Sequence, residues 1–271
     1  GSPLIDMIEV IDICKTFQLT KEALKSNKQT IDERQEGREF HALKGVSFSC
    51  AKGEVLGLLG PNGAGKTTVL RILASALNPT SGEITIAGES VITNPAVSKQ
   101  KIGFLSGKTG LYNKLTAREN IEYFARLHGL SKSRIKEAGE VLYAQLGIEP
   151  YLDRRVETLS TGMTQKVSIA RAVIHQPEVI IFDEPTTGLD IVATEVILEF
   201  IEMQKEAGIS VIFSTHHLDE VAMLANKVAV INQGETCFCG SIEQFREQSN
   251  ETDLRRAFKH FLVPQEVALC G

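Results

Sequence analysis

Short apolar runs alternate with amphipathic stretches along most of the chain. "VLGLL" (55–59), "VIIF" (179–182), "VIFS" (211–214) and "VAVI" (228–231) are continuous and apolar, the pattern of strands buried on both faces. After the first run, Val69, Ile72, Leu73, Ala76 and Leu77 recur at helical spacing. They predict one helix with a single buried stripe, ended by Asn78-Pro79. Residues 117–147 lack β-branched runs and predict two helices broken near Gly129-Leu130-Ser131. The alternation as a whole predicts an α/β fold, a parallel sheet covered by helices, with a helical insert between its halves. Residues 21–39, "KEALKSNKQTIDERQEGRE", fit no period and read as a solvated loop or hairpin extension without a function of its own. Residues 241–271 read as a short helical tail packed on the core.

Composition narrows the function more than the fold. With 271 residues, 42% hydrophobic and 23% charged, the chain can bury a substantial core, as one large domain or two small ones. No apolar run approaches the ~20 residues that span a bilayer, so the chain is not expected to cross a membrane. A net charge of -5 speaks against wrapping nucleic acid, and no nucleic-acid partner is expected. The five cysteines, Cys14, Cys50, Cys237, Cys239 and Cys270, are odd in number and scattered, as expected of reduced cytoplasmic thiols. Cys237 and Cys239 read as alternating strand residues; the other reading, half a metal site, lacks a second pair at zinc spacing. Gly1-Ser2-Pro3 reads as an appended remnant, with Met7 a possible native start.

The candidate chemistry begins at "GPNGAGKTT", residues 60–68, which fits G-x-x-x-x-G-K-[ST] between a predicted strand and a predicted helix. Gly60, Gly63 and Gly65 let backbone N–H groups curl around phosphate oxygens, and the helix N-terminus adds positive potential. Asn62, Ala64 and Thr68 complete the loop. Lys66 is placed to bridge the β- and γ-phosphates, and Thr67 to give its hydroxyl to Mg²⁺. Such an ion needs a carboxylate at a neighbouring strand end, which "VIIFDEP" supplies in Asp183. Glu184, the next residue, is placed to polarise an attacking water as general base. His216, closing "VIFSTHH", is a candidate contact to the γ-phosphate or that water. One feature remains unexplained by these: "LSTGMTQKV" (159–167), a second small, polar, glycine-bearing turn heading a helix.

Taken in order, "GPNGAGKTT", "LSTGMTQKVSIARA", "VIIFDEP", "TTGLD" and "FSTHH" resemble the ATP-binding subunit of an ABC transporter, from about Ile8 to Gly240. "STGM" and "LTAREN" (115–120) further resemble bacterial export-type ATPase subunits, including the sodium-extrusion type. The resemblance implies a P-loop NTPase (RecA-like) core with a parallel sheet, an antiparallel β subdomain and an inserted helical subdomain. It assigns 7–99 and 159–240 to the core, 100–158 to the helical part and 241–271 to a tail. It also accounts for the second turn, because in this family the signature turn of one copy faces the phosphate loop of another. Ser160 then supplies a hydroxyl, Gly162 a close backbone approach, and the helix its positive end. By the same carry-over Phe17 stacks on adenine, Asp190 links the two sites and His216 is the switch histidine. The implied cofactors are ATP and Mg²⁺. The implied partners are an integral membrane permease and a second copy or a related ATPase subunit, on the cytoplasmic face of the cell membrane.

Two positions depart from the family. Gly107 stands where a glutamine usually approaches Mg²⁺ and the attacking water, so coupling is expected to be altered there. Met163 replaces the usual glutamine of the signature, with less consequence because Ser160 and Gly162 make the phosphate contacts. A rival reading is a soluble ATPase clamp in a non-transport assembly. Each motif occurs once, unlike tandem translation factors, and 68–160 shows no sustained heptads of a DNA clamp.

Overall fold

The computed structural model describes residues 6–26, 32–107 and 110–263. A six-stranded sheet forms the centre, in the order β11 (Glu235–Ser241), β10 (Lys227–Asn232), β4 (Val55–Leu59), β9 (Ser210–Ser214), β8 (Val179–Asp183) and β7 (Ile102–Leu105). All neighbours are parallel except β11 on β10. Alternate side chains feed two cores. Val55, Leu59, Ile180, Phe182, Val211, Phe213, Val228 and Val230 face one way; Leu56, Leu58, Val179, Ile181, Ile212, Ala229 and Ile231 face the other. That two-sided burial is why these strands are continuous apolar runs.

The second face packs on an antiparallel sheet of β2 (Gln35–Glu36), β3 (Glu39–Ala51), β1 (Asp6–Gln18), β5 (Ser81–Ile86) and β6 (Glu89–Ser90). Between the two sheets lies α2 (Lys66–Leu73), with Val69, Leu70, Ile72 and Leu73 buried. It ends at Leu73, short of the Asn78-Pro79 stop expected from periodicity. Ser75 adopts φ +58°, and the N–H groups of Ala76 and Ser75 bond to Arg71 O and Ile72 O, closing the helix early. Ala76 is therefore outside the helix and exposed.

The first face carries the helical insert. α4 (Ala117–Leu127) and α5 (Lys132–Leu146) follow β7, broken at 129–131 as expected, whereas α3 (Ala96–Lys101), just before β7, packs on the other face through Val97 and Ser98. Thr116 and Glu119 form a reciprocal cap on α4, and buried Asn120 bonds to Tyr112 and Thr116, which explains the local use of "LTAREN". β7, within the 100–158 span, is a strand of the central sheet paired with β8. α6 (Thr161–Val173), α7 (Ile191–Glu206) and α8 (Leu218–Leu224) complete this layer. α9 (Ile242–Ser249) and α10 (Leu254–Leu262) pack on it through Phe245, Phe258 and Phe261. On β11, Cys237 and Cys239 point outward and Phe238 inward, the expected strand alternation; Cys270 lies outside the described residues.

The polar stretch 21–39 is only partly a surface excursion. It holds α1 (Lys21–Ser26) and β2, and within it Arg34 is 5% exposed.

Candidate functional site

β4 delivers the chain to Gly60 at the carboxyl edge of the sheet, where ligands of open α/β folds bind. A side chain at Gly60 would collide with Ile231 O, and one at Gly65, φ +113°, would lie 2.6 Å from Leu43 Cδ2. Glycine is therefore required on packing grounds before any ligand is considered. Gly234 N–H bonds to Ala64 O at 2.9 Å, belting the loop from outside.

Lys66 opens α2, is 6% exposed and donates to Gly60 O at 2.6 Å. Burial holds its ammonium below the ordinary lysine value, opposed by the nearby Glu184 and Asp183 carboxylates. Its Nζ is 4.0 Å from Glu184 Oε1, and the same carboxylate oxygen contacts His216 Nε2. Thr67 donates to Asp183 Oδ2 at 2.9 Å, and Ser214 donates to Asp183 Oδ1 at 2.6 Å. Ser214 also receives the Glu184 N–H on both its hydroxyl and its carbonyl. This grip holds Glu184 at φ +49°, a conformation costly for a residue with a side chain. Lys66, Thr67, Asp183, Glu184 and His216 are thus brought together from two strand ends, those of β8 and β9, and the start of α2.

Behind them, buried Glu220 on α8 accepts from Thr186 at 2.6 Å and from Thr215 at 3.1 Å, and Thr215 Oγ1 accepts the His217 N–H. One carboxylate thereby ties the turn after Glu184 to the turn that carries His216. Neither Ser214 nor Glu220 was legible as a site residue; the only signal was a hydroxyl at a strand end and an acid in the first turn of a helix.

A cleft of about 580 Å³ opens over this group. Asn62, Gly63, Gly65, Lys66, Thr67, Thr68 and Glu184 line its phosphate end, and Leu19, Asp32, Arg34 and Phe40 its other side. Phe17 is not among the lining residues. It pairs with Phe40 across β1 and β3, and the Lys15 ammonium stands 5.2 Å from its ring centre.

Ser160, Gly162 and Asp190 also lie outside the cleft lining. Ser160 caps α6 by accepting the Met163 N–H at 3.2 Å. Asp190 caps α7 through the Ala193 N–H at 2.8 Å. Gly162 meets α7: an added Cβ would stand 2.9 Å from Ala193 Cβ. Gln165 of α6 reaches Pro185 O at 2.8 Å, linking this helix to the turn after Glu184. Gly107 is exposed, and a side chain there would meet nothing within 4 Å.

The family model described as "ABC transporter" matches residues 43–187, from β3 through the phosphate loop and the capped helix to the turn after Glu184. The chain belongs to the ABC transporter ATP-binding family. The ABC transporter ATP-binding protein NatA of Bacillus subtilis (strain 168) is 43% identical over 95% of this chain and 98% of that protein. The linearmycin resistance ATP-binding protein LnrL of the same organism is 37% identical over 73% of this chain and 64% of that protein. The doxorubicin resistance ATP-binding protein DrrA of Mycobacterium tuberculosis is 36% identical over 78% of this chain and 64% of its own length. A solved ATP-binding subunit of an ABC transporter superposes with a TM-score of 0.79 at 26% identity, covering 94% of this chain and 99% of that one. A dimeric ATP-binding cassette in a post-hydrolysis state with ADP and Pi superposes with a TM-score of 0.74 at 25% identity, over 87% and 99%. As a member of this family the subunit binds and hydrolyses ATP, on a P-loop NTPase fold. Among the described residues no helix is long and apolar enough to cross a membrane.

Proposed function

We propose that this ATP-binding subunit works as a head-to-tail pair, each phosphate loop closed by the Ser160 turn of a second copy or of a related ATPase subunit. The observation that carries the reading is the separation of two anion cradles in one chain: the Lys66 cleft is assembled, while Ser160, Gly162 and the α6 N-terminus lie outside it. Two chains placed head to tail gain two complete sites. Ile191 and Val192, 78% and 71% exposed directly beside Asp190, supply apolar surface for that contact. The dimeric arrangement of the related cassette supports it.

Within each site Lys66 bridges the β- and γ-phosphates, and backbone groups from Asn62 to Thr68 cradle them. The Thr67 hydroxyl and the Asp183 carboxylate are hard oxygen donors already in contact, which suits Mg²⁺, an ion that completes its shell with phosphate oxygens and water. Bound there, the ion neutralises phosphate charge. Glu184 orients and deprotonates the attacking water, and His216, against the Glu184 carboxylate, fixes its direction and reaches the γ-phosphate. Phe40, which lines the cleft, takes the base-side role expected of Phe17.

ATP binding closes the pair and hydrolysis reopens it, driving a separate integral permease on the cytoplasmic face of the cell membrane. The permease docks on the helical insert, where Tyr112, Tyr123 and Leu127 stand exposed. The names of NatA, LnrL and DrrA support a transport role, and the two resistance proteins favour export. The deciding experiment is light scattering of Glu184→Gln at saturating ATP. A stable dimer that disperses on ATP removal is expected, and a species that stays monomeric overturns the pairing. Affinity purification from detergent-solubilised membranes is expected to recover a polytopic partner; recovery of soluble partners alone counts against the permease.

A further inference from the structure

The polar stretch before β3 contains the most heavily bonded arginine near the cleft. The Arg34 side chain is 6% exposed. Its Nε and Nη2 donate to the two oxygens of Asp32 at 3.0 and 2.8 Å, its Nη2 to Gly63 O at 2.8 Å and its Nη1 to Ala42 O at 3.4 Å. The guanidinium carbon lies 4.8 Å from the centre of the Phe40 ring. The Arg34 backbone is fixed as well: its N–H bonds to Asp32 Oδ1 and its carbonyl receives the His41 N–H. Hydrogen bonding from Arg34 holds the Asp32 carboxyl below the ordinary carboxylate value, so the buried guanidinium has an ionised partner.

The position of this group decides what it does. Gly63 sits at φ +78°, and nothing lies within 4 Å of where a side chain would stand. No side chain packs against this position; the Gly63–Ala64 peptide is held on its N–H side by the Ala64 N–H to Pro61 O bond at 3.1 Å, and glycine has more backbone freedom to lose than any other residue. Gly60, Gly65 and Ala64 are each fixed by neighbours; the carbonyl of Gly63 is held by Arg34, opposite the turn bond on the Ala64 N–H. We infer that Arg34 is a positioning residue of the nucleotide site, a rivet from the segment before β3 that sets the Gly63 turn of the phosphate loop. Only a planar fork satisfies Asp32, Ala42 O and Gly63 O together, so lysine is not an equivalent. The inference rests on the reading of this cleft as the ATP site.

The test is isothermal titration calorimetry of the full chain with ATP and, separately, with inorganic tripolyphosphate. Arg34→Ala and Arg34→Lys are both expected to weaken both probes, by about tenfold, the scale of one lost charge-assisted hydrogen bond. Phe40→Ala removes the ring beside the guanidinium but none of the Arg34 hydrogen bonds, so it is expected to weaken tripolyphosphate less than Arg34→Ala does. Thermal unfolding of each variant identifies the folded fraction, and Arg34→Lys, which retains charge and most of the volume, serves where Arg34→Ala does not fold. A folded Arg34 variant that binds both probes as tightly as the parent overturns the inference, as does a loss confined to ATP. Lys66→Ala separates the two levels: if it too binds normally, the ATP-site reading fails; if it alone is impaired, only the role of Arg34 does.

Discussion

The two glycine-bearing turns that open α2 and α6 use the same local chemistry and are held in opposite ways. The first is gripped from every side, by Ile231, Leu43, Gly234 and Arg34, and its Lys66 and Thr67 already touch the carboxylates at the end of β8. The second is held from behind, by the Ala193 methyl under Gly162 and by Gln165 on Pro185, while Ser160 spends its hydroxyl on its own helix. A turn fixed on all sides is prepared to receive a ligand by itself. A turn braced only at its back is prepared to be presented to another surface.

The sharpest way to break this comparison is to cripple each turn in turn. Lys66→Ala is expected to weaken ATP binding by about a hundredfold, since it removes a charged donor to the phosphates. Ser160→Ala is expected to leave the ATP affinity of the single chain within about twofold and to lower turnover about a hundredfold, the scale of one lost donor to transition-state charge. Calorimetry for affinity and phosphate release for turnover check both. If Ser160→Ala weakened binding as much as Lys66→Ala, both turns would serve one pocket in one chain.

A second variant tests the tie between the turn after Glu184 and the turn that carries His216. Glu220→Ala leaves the buried Thr186 and Thr215 hydroxyls without their acceptor, which costs roughly 2–4 kcal/mol in urea unfolding. Turnover is expected to fall about tenfold as the His216 turn loosens, with Glu220→Gln between the two because its amide oxygen still accepts from one hydroxyl. A stability loss without a turnover loss would reduce Glu220 to a fold residue. Gly107→Gln tests whether this exposed position couples to turnover: an added Cβ has open space, so the fold is expected to be unchanged and basal turnover to shift severalfold. Unaltered basal and membrane-partner-stimulated turnover would remove Gly107 from the coupling.

The parts legible in the sequence were those whose cause is local. β4, β8, β9 and β10 were visible because burial on both faces makes an uninterrupted apolar run, and the α4–α5 break because Gly129 and Ser131 sit at it. The phosphate loop was visible because its backbone geometry demands glycine at fixed spacing. The end of α2 was missed because Ser75, not a glycine, takes the left-handed position. The contact of Arg34 with Gly63 was not legible because it joins residues 29 apart, one of them in a stretch that has no period. Ser214 and Glu220 likewise act across strands. Long-range polar contacts leave no pattern in a window of ten residues.

The last expected effect concerns how α6 is anchored at its far end. His175 follows α6, places Nε2 2.9 Å from Ile102 O and stacks on His128 at 3.9 Å, joining the signature helix to the end of α4 and the start of β7. Burial, with the neighbouring His128, pushes the His175 imidazole down to about 4, and burial lowers His128 as well. The unfolded chain takes up a proton near the ordinary value of 6.5 and the folded chain does not until about 4, so stability declines as pH falls through that window and levels below it. At about 1.4 kcal/mol for each pH unit of difference, the loss amounts to roughly 3 kcal/mol at most. Urea midpoints measured from pH 7 to 4 are expected to fall in the parent and to fall less in His175→Gln. Equal slopes would place the acid sensitivity elsewhere. Among the described residues no hydrogen bond joins the phosphate loop to either histidine, so ATP affinity at pH 6 is expected to be the same in parent and variant, separating the brace of the α6 turn from the grip on the phosphate loop.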